Sequence, residues 1–277
     1  MNILNGIRVV SLAINLPGPS AALRLTEHGA HVTKVEPPAG DPLSYANAAY
    51  YGEVTRGQEI IRLNVKDPAD LAKLMDLLGK ADLFLTSHRT QALEKLGLGW
   101  SALHAKFPRL CQVAIVGELA PRDNVPGHDL TYQAINGLLD PPHMPRALLA
   151  DLGGAERAFS AALGVLLHRE RTREATYVQV SLADAAKWFA PPIKHGFTVP
   201  GGGVGGGVPC YGIYKAKDGY VAIAALEPHF MQRVHDVLGL PNATHEQLAA
   251  AFAGKTKREL EDWAERNDIP LAPVNSL

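Results

Sequence analysis

The chain has 277 residues, with 27 Lys and Arg against 28 Asp and Glu, and a formal net charge of −1. This balance lacks the basic character expected of a nucleic-acid-binding protein. Cys111 and Cys210 are too few for a disulfide framework or a Cys-based zinc site, and the sequence has no H-E-x-x-H pattern. The chain also lacks a signal-peptide pattern and an apolar run near the roughly 20 residues of a membrane span. We therefore expect a cytoplasmic protein without a metal.

Short apolar runs rich in β-branched residues alternate with segments of helical spacing, such as 69–78. The runs are Ile7 to Leu12, Val32 to Glu36, Ile60 to Val65, Leu83 to Ser87 and Leu110 to Gly117. This alternation predicts an α/β fold with a doubly wound, mostly parallel, Rossmann-like sheet. Ligands of such sheets bind beyond the carboxyl ends of the strands, so we expect the site in the loops after Leu12, Glu36, Ser87 and Gly117.

The second half of the chain predicts a change of architecture. Helical spacing at 130–139 and 155–169 and a strand at 177–182 precede a stretch, 199–209, with six glycines that reads as a mobile loop. Beyond it, a hairpin around Lys217-Asp218-Gly219 precedes helical segments at 229–238, 245–252 and 257–266. We predict a large Rossmann-like domain over 1–195, a glycine-rich linker or flap over 196–207, and a small α+β domain over 208–277.

The loop after the first strand, residues 13–22, does not carry the G-x-G-x-x-G pattern of a nicotinamide site. Pro17 and Pro19 remove two amide donors, which argues against a phosphate cradle at this helix start. The glycine stretch lacks the Lys and Ser or Thr that complete a P-loop. We expect neither a nicotinamide nor a flavin.

Several segments, in order along the chain, resemble one family. They are Leu4 to Leu12, Pro17-Gly18-Pro19, Gly29 to Pro37, Gly40-Asp41-Pro42, Thr55-Arg56-Gly57 with Leu63 to Lys66, Arg89 with Leu93 to Gly99, and Gly127-His128-Asp129. Together they resemble the class III CoA-transferase family, also called CaiB/BaiF. The resemblance implies an enzyme that acts on a coenzyme A thioester, with Asp129 at the position of the family's catalytic aspartate.

Three features resemble the α-methylacyl-CoA racemase branch of this family. They are His128-Asp129 followed by Tyr132, the segment Ala150 to Gly154, and the segment Ala225 to Phe230. The resemblance implies that His128, assisted by Glu227, serves one face of the substrate and Asp151 the other. Inversion at the α-carbon of a thioester needs such an acid–base pair and a means of stabilising the enolate between them.

Each of these residues also has a structural interpretation. Asp129 precedes a helical run and is a candidate N-cap, and Asp151 would cap a helix that begins at Ala155. Glu227 before Pro228 suits a helix start, where the dipole favours a carboxylate. Capping and catalysis are compatible, because a helix N-terminus stabilises a carboxylate.

The family resemblance also implies where coenzyme A binds. Arg56 and Arg89 are candidates for its phosphates, because a guanidinium is a bidentate partner of phosphate; Lys34 and Pro17 lie in matching segments and are expected to contribute. This chain has Pro37 where the family often has Arg, and Gln58 where it has a basic residue. The resemblance reaches the family's A-P-V segment at Ala272-Pro273-Val274. Family members commonly continue beyond this segment with a portion that helps to interlock two chains. We therefore expect a homodimer whose contact is looser than that of the interlocked family dimer.

Three functions remain open from the sequence. The first is racemisation or epimerisation of a 2-methylacyl-CoA-like thioester by 1,1-proton transfer, for which His128 is essential. The second is CoA transfer between carboxylic acids, in which Asp129 is the nucleophile and an aspartyl-CoA intermediate forms. The third is non-catalytic binding of an acyl-CoA. The sequence does not identify the acyl group.

Overall fold

The computed structural model describes residues 2–123 and 125–275. The chain divides into two compact units between Ala190 and Pro191. The sequence predicted this division a few residues later, between a domain over 1–195 and a linker over 196–207. The last two residues of the predicted 208–277 domain lie outside the described part.

A six-stranded sheet forms the centre of the first unit, and every strand pair in it is parallel. Its strand order, β3-β2-β1-β4-β5-β6, reverses direction between β1 and β4. This order confirms the doubly wound α/β fold, and the reversal is the place where such sheets open a ligand crevice. The strands are β1 (Arg8–Ser11), β2 (His31–Glu36), β3 (Glu59–Arg62), β4 (Leu83–Thr86), β5 (Cys111–Val116) and β6 (Tyr177–Ser181).

Nine helices of the described chain connect or follow these strands. They are α1 (Pro17–Glu27), α2 (Pro42–Ala46), α3 (Ala48–Val54), α4 (Pro68–Leu78), α5 (Thr90–Lys95), α6 (Trp100–Lys106), α7 (Asp129–Ile135), α8 (Leu149–Thr172) and α9 (Leu182–Lys187). Helices α1 and α8 cover one face of the sheet through a core that contains Leu25, Val113 and Phe159. Helices α4, α5 and α6 cover the other face through Leu74, Leu93 and Leu103. Alternate residues of each strand supply the two cores, because successive side chains point to opposite faces.

The second unit combines an antiparallel sheet with helices. After α10 (Pro191–Lys194), the strands β7 (Tyr211–Ala216) and β8 (Gly219–Ala224) form the predicted hairpin, and β9 (Leu271–Pro273) pairs with β8. The helices α11 (Pro228–Leu238), α12 (His245–Ala253) and α13 (Lys257–Arg266) pack on one face of this sheet around Tyr214, Val221 and Phe252. The strand β9 was absent from the sequence-based assignment because three residues show no periodicity.

The glycine stretch of the second unit folds on itself. The amides of Gly202 and Gly207 donate to the carbonyls of Val199 and Gly202, and Val204 N donates to Phe197 O at 3.0 Å. A Cβ on Gly205 would collide with the carbonyl of Val199, which leaves no room for a side chain. The glycines therefore serve tight successive turns, and a flap function over these residues stays a prediction.

Helix α8 begins at Leu149 rather than at Ala155, the start that the sequence pattern favoured. Two glycines inside its first turns, Gly153 and Gly154, misled the assignment, because glycine usually marks a helix end. A Cβ on Gly154 would collide with Leu182, and one on Gly153 would lie 2.8 Å from the ring of Phe189. The glycines let α9 approach α8 closely, and Asp151 consequently lies within the first turn of α8.

A buried ion pair fixes the loop that follows β1. The ammonium of Lys34 donates to Asp41 Oδ2 at 2.8 Å and to the carbonyl of Ala13 at 3.3 Å, and both charged side chains are fully buried. The other carboxylate oxygen, Asp41 Oδ1, accepts the amides of Asn15 and Leu43, each at 3.0 Å. Asn15 has a positive φ of 65°, which this bond helps to hold.

We predict that Asp41→Ala lowers the free energy of unfolding by about 2–3 kcal/mol, because it removes the nearer counter-charge of a buried ammonium and leaves Glu36 Oε1, at 3.3 Å, as its remaining carboxylate partner. Urea unfolding measures the loss. Asp67→Ala is the matched control, since Asp67 also accepts two amides at a helix start, at 2.9 and 3.1 Å, but is exposed and holds no buried cation. The control should lose only about 1 kcal/mol; equal losses would contradict the role given to the ion pair.

Candidate active site

A cavity of about 300 Å³ lies at the carboxyl ends of β1, β4, β5 and β6. It adjoins the point where the strand order reverses, as expected for a doubly wound sheet. Of the predicted site residues, His128, Asp151, Arg89 and Pro17 line it. The loops that the sequence predicted after Leu12, Ser87 and Gly117 each form part of its wall.

Two glycines make room for the aromatic ring at the back of this cavity. Tyr132 is buried, and a Cβ on Gly127 would lie only 2.5 Å from its hydroxyl and 2.6 Å from its ring. A Cβ on Gly117 would also collide with the Tyr132 hydroxyl. Burial raises the pKa of Tyr132. The Gly-His-Asp-x-x-Tyr spacing therefore reflects packing: the chain passes flat against the tyrosine before α7 begins.

His128 immediately precedes α7 and is exposed at the cavity. Its backbone is fixed on both sides by Thr131, whose Oγ1 accepts from His128 N at 3.0 Å and donates to His128 O at 2.8 Å. The imidazole thus projects from a backbone anchored to the first turn of the helix, which limits its movement relative to the cavity.

The carboxylate of Asp129 is buried and hydrogen-bonded through both of its oxygens. Its Oδ1 accepts the amides of Ala150 at 2.7 Å and Asp151 at 3.1 Å, and its Oδ2 accepts from Gln133 Nε2 at 2.5 Å. Asp129 is 5% exposed and is not among the residues that line the cavity.

Asp129 takes the place of an N-cap for α8. Leu148, which precedes this helix, provides no side-chain bond to it. The free amides of a first turn need acceptors, and an N-cap carboxylate normally serves the second and third of them. Asp129 accepts the same two amides from another helix, α7. The capping interpretation made from the sequence therefore applies to Asp129, but to the start of α8 rather than of its own helix.

Asp151 lies in the first turn of α8 and lines the cavity. Burial and the neighbouring charge of Asp129 raise its pKa to about 6, while His128 opposes this rise. A carboxyl with this pKa exchanges protons near neutral pH, which suits general acid–base chemistry.

The other predicted site residues lie elsewhere. Glu227 is an exposed residue before α11, in the second unit, and its pairing with His128 stays a prediction. Lys34 is buried in its ion pair with Asp41, so its ammonium is not presented to a ligand. The side chain of Arg56 is 74% exposed, lies 3.5 Å from Glu27, and does not line this cavity.

Three side chains that the sequence analysis did not single out also line the cavity: Asn15, His88 and Asp123. Each follows a strand or lies in a loop at the carboxyl edge of the sheet. In the sequence, the one sign that these residues could belong to a site was their position after a predicted strand, and many other polar residues share that position. The folded loops are what bring these three to the cavity.

Within residues 2–123 and 125–275, no helix is both long and apolar enough to cross a membrane. In the same part of the chain, no group of three or more His, Cys, Asp or Glu side chains is arranged to hold a metal ion.

We predict that the carboxyl of Asp151 titrates with a midpoint of about 6 and that Asp129→Asn lowers this midpoint, because the substitution removes a neighbouring negative charge. Carbon-13 NMR of the aspartate carboxyls measures it, with the resonance assigned by its loss in Asp151→Asn. A midpoint at the ordinary value of 3.8 in the wild-type protein would refute the assignment.

Comparison with known proteins places the chain in a family. Residues 4–277 match CoA-transferase family III. The chain is 29% identical to the human alpha-methylacyl-CoA racemase, covering 98% of this chain and 77% of that protein. It is 30% identical to the cinnamoyl-CoA:phenyllactate CoA-transferase of Clostridium sporogenes, with 98% and 78% covered. The crystal structure of a hypothetical protein of Mycobacterium tuberculosis, Rv3272, superposes with a TM-score of 0.85 at 25% identity, over 99% of this chain and 86% of that one.

Proposed function

Since the chain belongs to CoA-transferase family III, we propose that it inverts the α-carbon of a 2-methylacyl-CoA-like thioester by proton transfer. Relatives include both racemases and CoA-transferases, so family membership alone does not select the reaction. One observation supports racemisation. His128 and Asp151 line the cavity, whereas the carboxylate of Asp129 is buried and both of its oxygens accept hydrogen bonds.

Transfer through an aspartyl intermediate requires a carboxylate oxygen of Asp129 to attack the thioester carbonyl. That attack would break the bonds by which Asp129 caps α8 and would expose the orphan amides of Ala150 and Asp151. The attack would also have to come from a side chain that does not line the cavity. Proton transfer uses the two groups that do line it and leaves the cap in place.

In the proposed reaction, a base removes the α-proton and the electron pair of the C–H bond forms the C=C bond of an enolate. The carbonyl π pair moves to oxygen. A proton from the second group then reaches the opposite face of the α-carbon, the C–H bond re-forms, and the carbonyl is restored. His128 and Asp151 exchange the roles of base and acid when the other enantiomer enters. A carboxyl with a pKa of about 6 can serve in both protonation states near neutral pH.

Coenzyme A would be bound chiefly through Arg89 and Pro17 in this proposal. Both line the cavity, and the exposed guanidinium of Arg89 is suited to a phosphate. Lys34 would act indirectly, because its ion pair with Asp41 holds the loop that carries Asn15 and Pro17. Arg56 remains a candidate phosphate partner on the neighbouring surface.

We predict that a 2-methylacyl-CoA incubated with the protein in deuterium oxide gains deuterium at its α-carbon without an acceptor acid. His128→Ala and Asp151→Asn should each reduce the exchange rate by about 10²–10⁴-fold, because each removes a proton-transfer group. Mass spectrometry measures the label. His168→Ala and Asp184→Asn, at exposed positions that do not line the cavity, are the matched controls and should retain the rate. Exchange that persists in both site variants would refute the roles assigned here.

A separate prediction concerns Asp129. Asp129→Asn should retain α-proton exchange at its optimal pH, because an amide oxygen still accepts the amides of Ala150 and Asp151, whereas Asp129→Ala should lose about 1 kcal/mol of stability with the cap. The assay is repeated with a carboxylic acid acceptor and with hydroxylamine as a trap. Turnover that requires the acceptor, is abolished in Asp129→Asn, and leaves an acyl adduct on Asp129 would replace racemisation by CoA transfer.

A further inference from the structure

His88 is a polar group of the cavity to which the proposed reaction gives no role. It follows β4 by two residues and is half-buried. It lines the same cavity as His128 and Asp151, together with the charged side chains of Arg89 and Asp123. At about 300 Å³, the cavity is at the small end of ligand pockets. A fragment bound in a cavity of this size would lie near several of the groups that line it.

The hydrogen bonds of Thr86 hold His88 and favour one of its tautomers. Thr86 is fully buried, and its Oγ1 accepts the backbone amide of His88 at 3.2 Å. The same oxygen lies 3.4 Å from His88 Nδ1. While this oxygen accepts the amide, the hydroxyl proton of Thr86 can be directed to Nδ1, which then accepts. In that arrangement the neutral ring carries its own proton on Nε2, and nitrogen-15 NMR distinguishes it from the opposite tautomer.

The ring is also held in its neutral form. Burial lowers the pKa of His88, so the imidazole is uncharged at neutral pH. The Nδ1 atom of His88 has Thr86 Oγ1 as a hydrogen-bond partner. Its Nε2 atom forms no hydrogen bond within residues 2–123 and 125–275. The side chain thus offers the cavity one oriented donor that does not give up its proton near neutral pH.

A donor of this kind suits the oxygen of an enolate. Fixed donors aimed at developing negative charge supply one of the largest contributions to catalysis, and a neutral imidazole is an established polarising group for carbonyls. His128 and Asp151 both come from the chain after β5, and they would act on the α-carbon. His88 comes from the end of β4, the neighbouring strand. It is available for a different atom of the same fragment.

We propose that His88 donates its Nε2 proton as a hydrogen bond to the thioester oxygen and stabilises the enolate formed between His128 and Asp151. This inference rests on the proposed function. The bond carries no net proton transfer: the carbonyl π pair moves onto the oxygen when the α-proton leaves and returns when the carbon is reprotonated. His88 is thereby a third catalytic residue, beside the two that move the proton.

The test measures α-deuterium exchange of a 2-methylacyl-CoA by the full chain carrying His88→Phe. The expected result is a fall in kcat of about 10²–10³-fold with little change in KM, because the donor acts only on the developing charge. His88→Gln keeps an N–H donor and should recover part of the loss. His168→Phe is the matched control, on the exposed face of α8 about 25 Å along the helix from Asp151, and should behave as the wild type.

Nitrogen-15 NMR of the wild-type protein gives a second readout that needs no variant. It should report a neutral His88 ring at pH 7 with the proton on Nε2, and a ring protonated on Nδ1 or on both nitrogens would overturn the proposal. So would a kcat in His88→Phe equal to that of the wild type, or a rise in KM alone, which would indicate substrate binding. Absence of exchange in the wild-type protein would remove the proposed function and this inference together, whereas exchange that His88→Phe leaves intact would remove the inference alone.

Discussion

Two of the three hydrogen bonds accepted by Asp129 join the two helices that carry the candidate site. They attach the start of α7, and with it His128, to the start of α8, and with it Asp151. The bonds also make the two neighbouring carboxylates chemically different. Asp129 has donors for both oxygens, whereas Asp151 is partly buried beside a negative charge and has a pKa of about 6. Environments that separate two carboxylates in this way assign them different roles.

The opposite wall of the cavity depends on a charge buried further from the reaction. Lys34 and Asp41 are fully buried, and a buried pair is retained only when its remaining hydrogen-bonding groups are satisfied. Here the satisfied groups are backbone atoms of the loop after β1, at Ala13 and Asn15. The ion pair therefore fixes the position of that loop. Lys34, which the family resemblance placed among the residues expected to contribute to coenzyme A binding, instead holds the loop that lines the cavity.

The sequence by itself determined the architecture. Alternating apolar runs and helical segments gave the parallel sheet and its two layers of helices, because burial on both faces of a sheet imposes a pattern that is local along the chain. It also predicted the carboxyl edge as the location of the site and named His128, Asp151, Arg89 and Pro17, which line the cavity. Strand ends and ordered motifs are properties of short segments, so the sequence could indicate where these residues lie, while their roles stay a prediction.

The tertiary structure alone decided what each polar side chain does. Asp129 and Asp151 are 22 residues apart, and no local pattern shows that one accepts the amide of the other. The glycines at 153 and 154 moved the predicted start of the helix to Ala155, yet they lie inside α8, where a side chain at either position would collide with Leu182 or Phe189. The sequence suggested Lys34 only through its place in a segment that resembles the family and did not single out His88, whereas burial and the partners Asp41 and Thr86 set the surroundings of both side chains. Hydrogen bonding and desolvation depend on residues distant in sequence, and only the folded chain brings these together.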